Sequence, residues 1–425
     1  MMCELRPHQK NAIQISKNND FQSGIHYHAT GTGKSWVAMY LLKEFHLSYP
    51  NSNVLWICER KNILTHQFSE EILSDRGFNM ILKDFKVFDF VENKNPTWYD
   101  SLNSAKFWGR PFLCIINRSY LTSRQKYKDI QVSLDLVIHD ECHSIENKTT
   151  QQFYEWWEQI QIDKKKPGRV IGFSATPEIT SPLQNILSKY SIYDAFQEGV
   201  ILPPKILWLK SQIDREIKLE HLMPILQSQI EKLPYQKIII WCGMIEECVK
   251  VAKKWMPYFS DFQLCMDFNN IDKNTPGLNV GNYQDFYNSQ GKSLLFCAVK
   301  HREGSDIPNV DGCIFMDRVE KRKERVFVQC MGRVLRLDNL GKKKYGLVID
   351  LKAKSTIEIC NRVQHYLKLE NIFPWEYKFQ KISFDKRHYW LNELDMVAKT
   401  YQKEEIDRLF NQTYTRQDIE SYFIR

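Results

Sequence analysis

The sequence predicts an α/β protein in which two parallel-sheet domains follow one another. Three observations carry this reading. Short apolar, β-branched runs alternate with longer amphipathic segments as far as about residue 350. Each run ends in polar or glycine-containing sequence, and a break at residues 198–204 (EGVILPP) separates one series from the next. A sheet covered by helices on both faces needs such uninterrupted apolar strands, and sheets of this kind bind ligands at the carboxyl ends of their strands.

Taken in order, residues 24–27, 53–58, 112–116, 134–139 and 169–173 read as buried strands of the first series. A second series comprises 237–241, 293–297, 312–316 and 345–349. Beyond residue 351 the strand pattern stops. Ser355 and Glu358 fit a capping box that opens a helix, with Ile359, Val363, Tyr366 and Leu367 near one face. Trp390, Leu394, Val397, Tyr401, Ile406 and Leu409 predict another helix over about 386–410, its stripe buried against the second domain. The expected division is 1–200, 201–352 and a helical C-terminal extension at 353–425, which could also receive a protein partner.

Composition narrows the classes. The 425 residues are 43% hydrophobic and 26% charged, which excludes wholesale disorder. A net charge of +8 permits a phosphate-bearing partner without requiring one. The eleven cysteines are scattered with no CxxC pair, so free thiols in a reducing, cytosol-like space are expected and a zinc module is not. No stretch approaches the roughly 18 apolar residues of a membrane helix, and residues 1–9 lack the apolar core of a signal peptide.

Residues 28–35 (HATGTGKS) lie between a strand and the helix-like run 36–45. There, glycine-permitted backbone at Ala29, Thr30, Gly31, Thr32 and Gly33 can turn sharply and aim N–H groups at phosphate oxygens. Lys34 supplies a flexible cation and Ser35 a hydroxyl for Mg²⁺. His28 stands where a full GxxxxGKS pattern has glycine, and a chance Gly-Lys-Ser is the plain alternative. Asp140 and Glu141 close the apolar run 134–139. Asp140 can orient a Mg²⁺ shell while Glu141 polarises an attacking water. Taken alone, an Asp-Glu pair is common surface chemistry.

In this order the motifs resemble those of a superfamily 2 helicase of the DEAD/DEAH-like type, over about residues 4–350. Residues 5–13 (LRPHQKNAI) resemble the adenine-recognition segment, 29–35 motif I, 54–67 motif Ia and 140–143 (DECH) motif II. Residues 174–176 (SAT) resemble motif III, 237–242 motif IV, 303–308 (EGSDIP) motif V and 329–336 (QCMGRVLR) motif VI. The resemblance is nearest to type III restriction motor subunits and helicases of large DNA viruses. It implies two tandem RecA-like P-loop lobes, ATP and Mg²⁺ as cofactors, and DNA or RNA as partner, with no membrane. Location would be intracellular, in a host cytoplasm or virion if viral.

By the same resemblance Gln9 pairs with the adenine edge, Asp306 and Gln329 lie at the nucleotide, and Arg333 and Arg336 act on the γ-phosphate, with Arg336 the finger. Ser174, Thr176 and His143 couple the nucleotide site to movement. Arg60, Lys61, Asn117, Arg118, Ser119, Lys300 and Arg302, with His301 beside them, are candidate nucleic-acid contacts, though each charge alone suits a solvated surface. Ala298 stands where motif V often has threonine, and residues 337–344 (LDNLGKKK) lack the ending of chromatin-remodelling motors. A non-catalytic scaffold of helicase fold and an unrelated P-loop kinase are the alternatives. Intact Glu141 and Arg336 disfavour the first, and motifs IV to VI the second.

Overall fold

Parallel strands buried on both faces form the frame of each half. The computed structural model divides into two compact units, Met1–Tyr190 and Ser191–Arg425. It describes residues 4–58, 78–90, 95–164, 167–175, 179–211, 219–268, 279–301, 307–317, 324–338, 340–351, 376–385 and 389–397.

The first unit contains β1 (Gly24–His28), β2 (Val54–Cys58), β3 (Lys86–Asp89), β4 (Phe112–Asn117), β5 (Leu136–Asp140), β6 (Arg169–Ser174) and β7 (Ile186–Tyr190), in the spatial order β3-β4-β2-β5-β6-β1-β7. All pairings are parallel. Alternation along β2 shows why its sequence is apolar throughout. Val54 and Trp56 enter one core with Val37, Leu41 and Phe45 of the helix Lys34–Ser48. Leu55 and Ile57 enter the core on the other face with Trp157 of the helix Lys148–Lys164. Fully burying a side chain such as Phe45 stabilises by about 1.5–3 kcal/mol.

The second unit contains β8 (Pro204–Ser211), β9 (Lys237–Trp241), β10 (Gln263–Asp267), β11 (Ser293–Cys297), β12 (Gly312–Phe315) and β13 (Gly346–Asp350), parallel in the order β10-β11-β9-β12-β13-β8. Helices Leu219–Ile230 and Ile245–Trp255 bring Met223, Leu226, Val251 and Trp255 into one core with Ile238, Ile240, Phe296 and Ile349. The nine cysteines among the described residues are buried free thiols. No helix among the described residues is long and apolar enough to cross a membrane.

One expectation is corrected. Within the helix expected over 386–410, β15 (Tyr389–Val397) instead pairs antiparallel with β8 and with β14 (Glu376–Asp385), extending the sheet, and the rest of that stretch lies outside the described residues. The helical stripe Trp390, Leu394, Val397 is confounded by Trp390, Leu394 and Met396, which equally fit a period of two. Aromatic and β-branched Tyr389, Trp390 and Val397 favour strand, and the open edge of β8 supplies the hydrogen bonds. The helix expected from Ser355 lies outside the described residues.

Candidate nucleotide-binding site

Strand β1 ends at His28, and the chain turns through residues 29–33 into the helix that starts at Lys34. Gly31 and Gly33 make the turn possible, with φ of 87° and 84°. Gly33 is constrained twice, because an added Cβ would sit 2.4 Å from Gln9 Nε2. That amide donates to Thr32 O at 3.1 Å and, more weakly, to Gly33 O at 3.4 Å, while its Oε1 accepts from Arg6 N at 2.9 Å. His8 Nε2 bonds the same Thr32 carbonyl at 3.0 Å, and its ring stacks on Tyr190 at 3.8 Å. Gln9 thus braces the loop backbone, and pairing with a base would exchange bonds it already makes.

Lys34 is only 8% exposed, yet the hydrogen bond drawn from its ammonium is long, 3.5 Å to Ala29 O. That carbonyl is already taken by Thr32 Oγ1 at 2.7 Å. Thr30 Oγ1 is buried with no partner among the described residues. A buried cation and hydroxyl left so poorly satisfied are costly in isolation and suit an anion with oxygen acceptors. The first N–H groups of the helix, at Lys34 and Ser35, add donors and the positive end of its dipole.

The acid pair sits two strands away, across β6. Register aligns Tyr27 with Ser174 and Phe173 with Asp140, so the ends of β1, β6 and β5 lie side by side. Asp140 (5% exposed) accepts from Glu141 N at 3.1 Å. Glu141 holds φ of 53°, a left-handed conformation costing roughly 1–3 kcal/mol in a residue with a Cβ, and such strain gathers at functional sites. Its carboxylate stands 3.4 Å from His143 Nδ1. Burial first, then Glu141 and Asp140, push the Cys142 thiol well above its usual range, and Lys34 pulls weakly the other way. One thiol therefore senses the loop lysine and both acids. The hydroxyl of Ser35 and the Asp140 carboxylate are hard oxygen donors, the chemistry Mg²⁺ prefers.

A chain of polar groups that sequence reading misses underlies the loop. Ser16 Oγ bonds His26 Nε2 at 2.8 Å, and Ser188 Oγ bonds both His26 Nδ1 at 2.7 Å and His28 Nε2 at 2.8 Å. Burial pushes His26 down to about 3 and His28 to about 2, so both are neutral. Ser188 lies on β7, an exposed edge strand whose sequence carries no apolar run, so no sequence signal joins it to His28.

Ser174 is fully buried at the end of β6. Asn117 caps the short helix Arg118–Thr122 by accepting from Ser119 N and Oγ, and Arg118 Nη1 donates to Thr150 Oγ1 at 3.4 Å. In the second unit Lys300 Nζ and His301 Nε2 both bond the Asp267 carboxylate at 2.6 Å. Burial would raise Asp267, but those two partners hold it below its usual range. Gln329, on the helix Glu324–Val334, is 1% exposed with neither amide atom bonded among the described residues. Arg333 and Arg336 come together with His301, Ile239, Ile307 and Val310 around one tight crevice. Arg60, Lys61, Thr176, Arg302 and Asp306 lie outside the described residues.

A phosphate-type loop at the end of β1 and an acid pair at the end of β5, with β6 between them, in a seven-stranded parallel sheet followed by a second sheet with six parallel strands, define an α/β protein with a candidate P-loop nucleotide site. Residues 2–179 are similar to the family described as "Type III restriction enzyme, res subunit". No curated protein matches the chain in sequence. Among solved structures, the type ISP restriction-modification enzyme LlaBIII bound to DNA is 15% identical with a TM-score of 0.59, covering 86% of this chain and 30% of its own. Helicase Lhr of Mycobacterium smegmatis, bound to ssDNA and AMP-PNP, is 13% identical with a TM-score of 0.57, covering 86% and 48%. Mss116p, bound to ssRNA and AMP-PNP, is 15% identical with a TM-score of 0.60, covering 98% and 79%. The chain thus spans less than half of the first two, and the likeness is one of fold.

Proposed function

We propose that this protein is an ATP-dependent motor that moves on, or unwinds, DNA or RNA. The observation that carries the reading is Lys34, a buried cation with one long hydrogen bond at the head of a glycine-turned loop, in the same sheet edge as Asp140 and Glu141. Backbone N–H groups of residues 31–35 and the Lys34 ammonium bind the β and γ phosphates. Ser35 and Asp140 would hold Mg²⁺, which when bound offsets phosphate charge. Glu141, oriented by His143, accepts the proton of the attacking water. Arg333 and Arg336 stabilise charge on the transferring phosphoryl group, a task suited to a planar, permanently charged fork. Grip on nucleic acid follows the phosphate backbone without reading bases, and the satisfied Asn117 cap and the Lys300–Asp267 pair favour shaped loops over free surface charge.

ATP turnover measured with and without single-stranded DNA or RNA tests this. Stimulation by nucleic acid is the expected result. Turnover indifferent to either strand would reject the motor in favour of another P-loop enzyme, and no turnover at all would favour a scaffold.

A further inference from the structure

Of the three lysines at 342–344, Lys342 and Lys344 are exposed and Lys343 is buried at 5% exposure. Its Nζ donates to three backbone carbonyls, Val310 O at 2.7 Å, Val334 O at 2.9 Å and Arg336 O at 3.0 Å. Val334 ends the helix that carries Gln329 and Arg333, and Arg336 lies two residues beyond it, where no helical ladder fixes the backbone. A helix leaves its last carbonyls without internal donors, and a cation there also answers the negative end of the dipole. An ammonium has three N–H groups for these three acceptors. Burial pushes Lys343 down to about 8, so the ammonium persists at neutral pH.

The turn that presents Lys343 is itself fastened. Asp338 accepts from Lys342 N at 2.9 Å, Lys343 N at 3.0 Å and the Tyr235 hydroxyl at 2.7 Å. From the other side Ile201 forms a bridge with Arg336, and Leu202 N donates to Leu335 O at 2.7 Å. The packing is tight enough that a Cβ at Gly346 would lie 2.3 Å from Val334 O.

We propose that Lys343 is a positioning residue for ATP hydrolysis: by tying the carbonyl of Arg336 to those of Val334 and Val310, it fixes the backbone from which the Arg336 guanidinium projects. The inference rests on the reading of Arg336 as the charge-stabilising arginine. A lysine serving stability alone would lower the melting temperature without touching the kinetics of the folded enzyme. One serving position changes kcat through Arg336 and leaves nucleotide binding alone.

The test is a double-mutant cycle on the full chain, reading kcat and KM for ATP under nucleic-acid stimulation. Arg336→Ala is expected to lower kcat by about 10³-fold or more. Lys343→Met should lower kcat by about 10- to 100-fold with KM within threefold, and the double variant should be no slower than Arg336→Ala alone. Effects that multiply in the double variant would overturn the inference. So would full kcat in Lys343→Met beside an inactive Arg336→Ala, and that result would leave the reading of Arg336 standing. Full kcat in Arg336→Ala would overturn both. Should Lys343→Met not fold, Tyr235→Phe keeps the lysine but loosens its turn, and there a kcat reduced about two- to fivefold supports the inference whereas an unchanged one overturns it.

Discussion

The loop at Lys34 and the turn at Lys343 each bury an ammonium, at 8% and 5% exposure, and treat it in opposite ways. Lys343 makes three bonds of 2.7 to 3.0 Å, all to backbone carbonyls. Lys237, likewise buried, makes two at 3.0 Å to Tyr287 O and Ser289 O. Burial lowers both to about 8, yet both hold their hydrogens in short bonds. Among the described residues Lys34 makes one, at 3.5 Å, to a carbonyl that also accepts from Thr32 Oγ1. A buried charge whose donors are all used holds the fold, and one whose donors are nearly idle is poised for a ligand.

This contrast can be broken by experiment. The largest expected effect is on Lys34→Ala, which should lower ATP turnover by at least about 10²-fold while stability does not fall, because little is lost with its single long bond. Steady-state kinetics beside urea unfolding checks both halves, and a destabilised variant would move Lys34 into the structural class. Next, Lys237→Ala should cost about 2–3 kcal/mol of stability by orphaning two carbonyls, with turnover per folded molecule unchanged.

A smaller effect concerns the histidines beneath the loop. His26 and His28 have folded values of about 3 and 2 against an ordinary 6.5, so the unfolded chain binds their protons first. Their stabilisation is present above about pH 6.5 and is lost as pH falls. Between pH 7 and 5.5 the two should remove about 2 kcal/mol, seen as a lower urea midpoint for the first unit. Replacing His26 with a neutral residue should flatten that dependence, and an unaltered pH profile would count against buried neutral imidazoles.

How far each feature is legible in the sequence follows from how local it is. Strands such as Lys237–Trp241 and Ser293–Cys297 are read to the residue because both faces are buried and each run is apolar after its first residue. Strands Lys86–Asp89 and Ile186–Tyr190 escape because they are half-exposed sheet edges without such a run, and Gln263–Asp267 because it too is an edge with polar ends. Strand β15, at 389–397, is misread as helix because its pairing with β8 is a tertiary fact. In the site, the loop and the acid pair are contiguous motifs and stand out at once. Lys343 looks like one of three solvated lysines until Val310, more than thirty residues away, is brought to it. Ser188 likewise acquires meaning only when β7 lies beside β1.

Lys34 is kept poorly satisfied for a phosphate. The affinity of AMP-PNP with Mg²⁺, measured by calorimetry on the wild type, Lys34→Ala and Lys343→Met, tests it most directly. Binding should weaken at least about tenfold in Lys34→Ala, or roughly 1.4 kcal/mol, and stay within threefold of wild type in Lys343→Met. Equal affinity in Lys34→Ala and the wild type would contradict it.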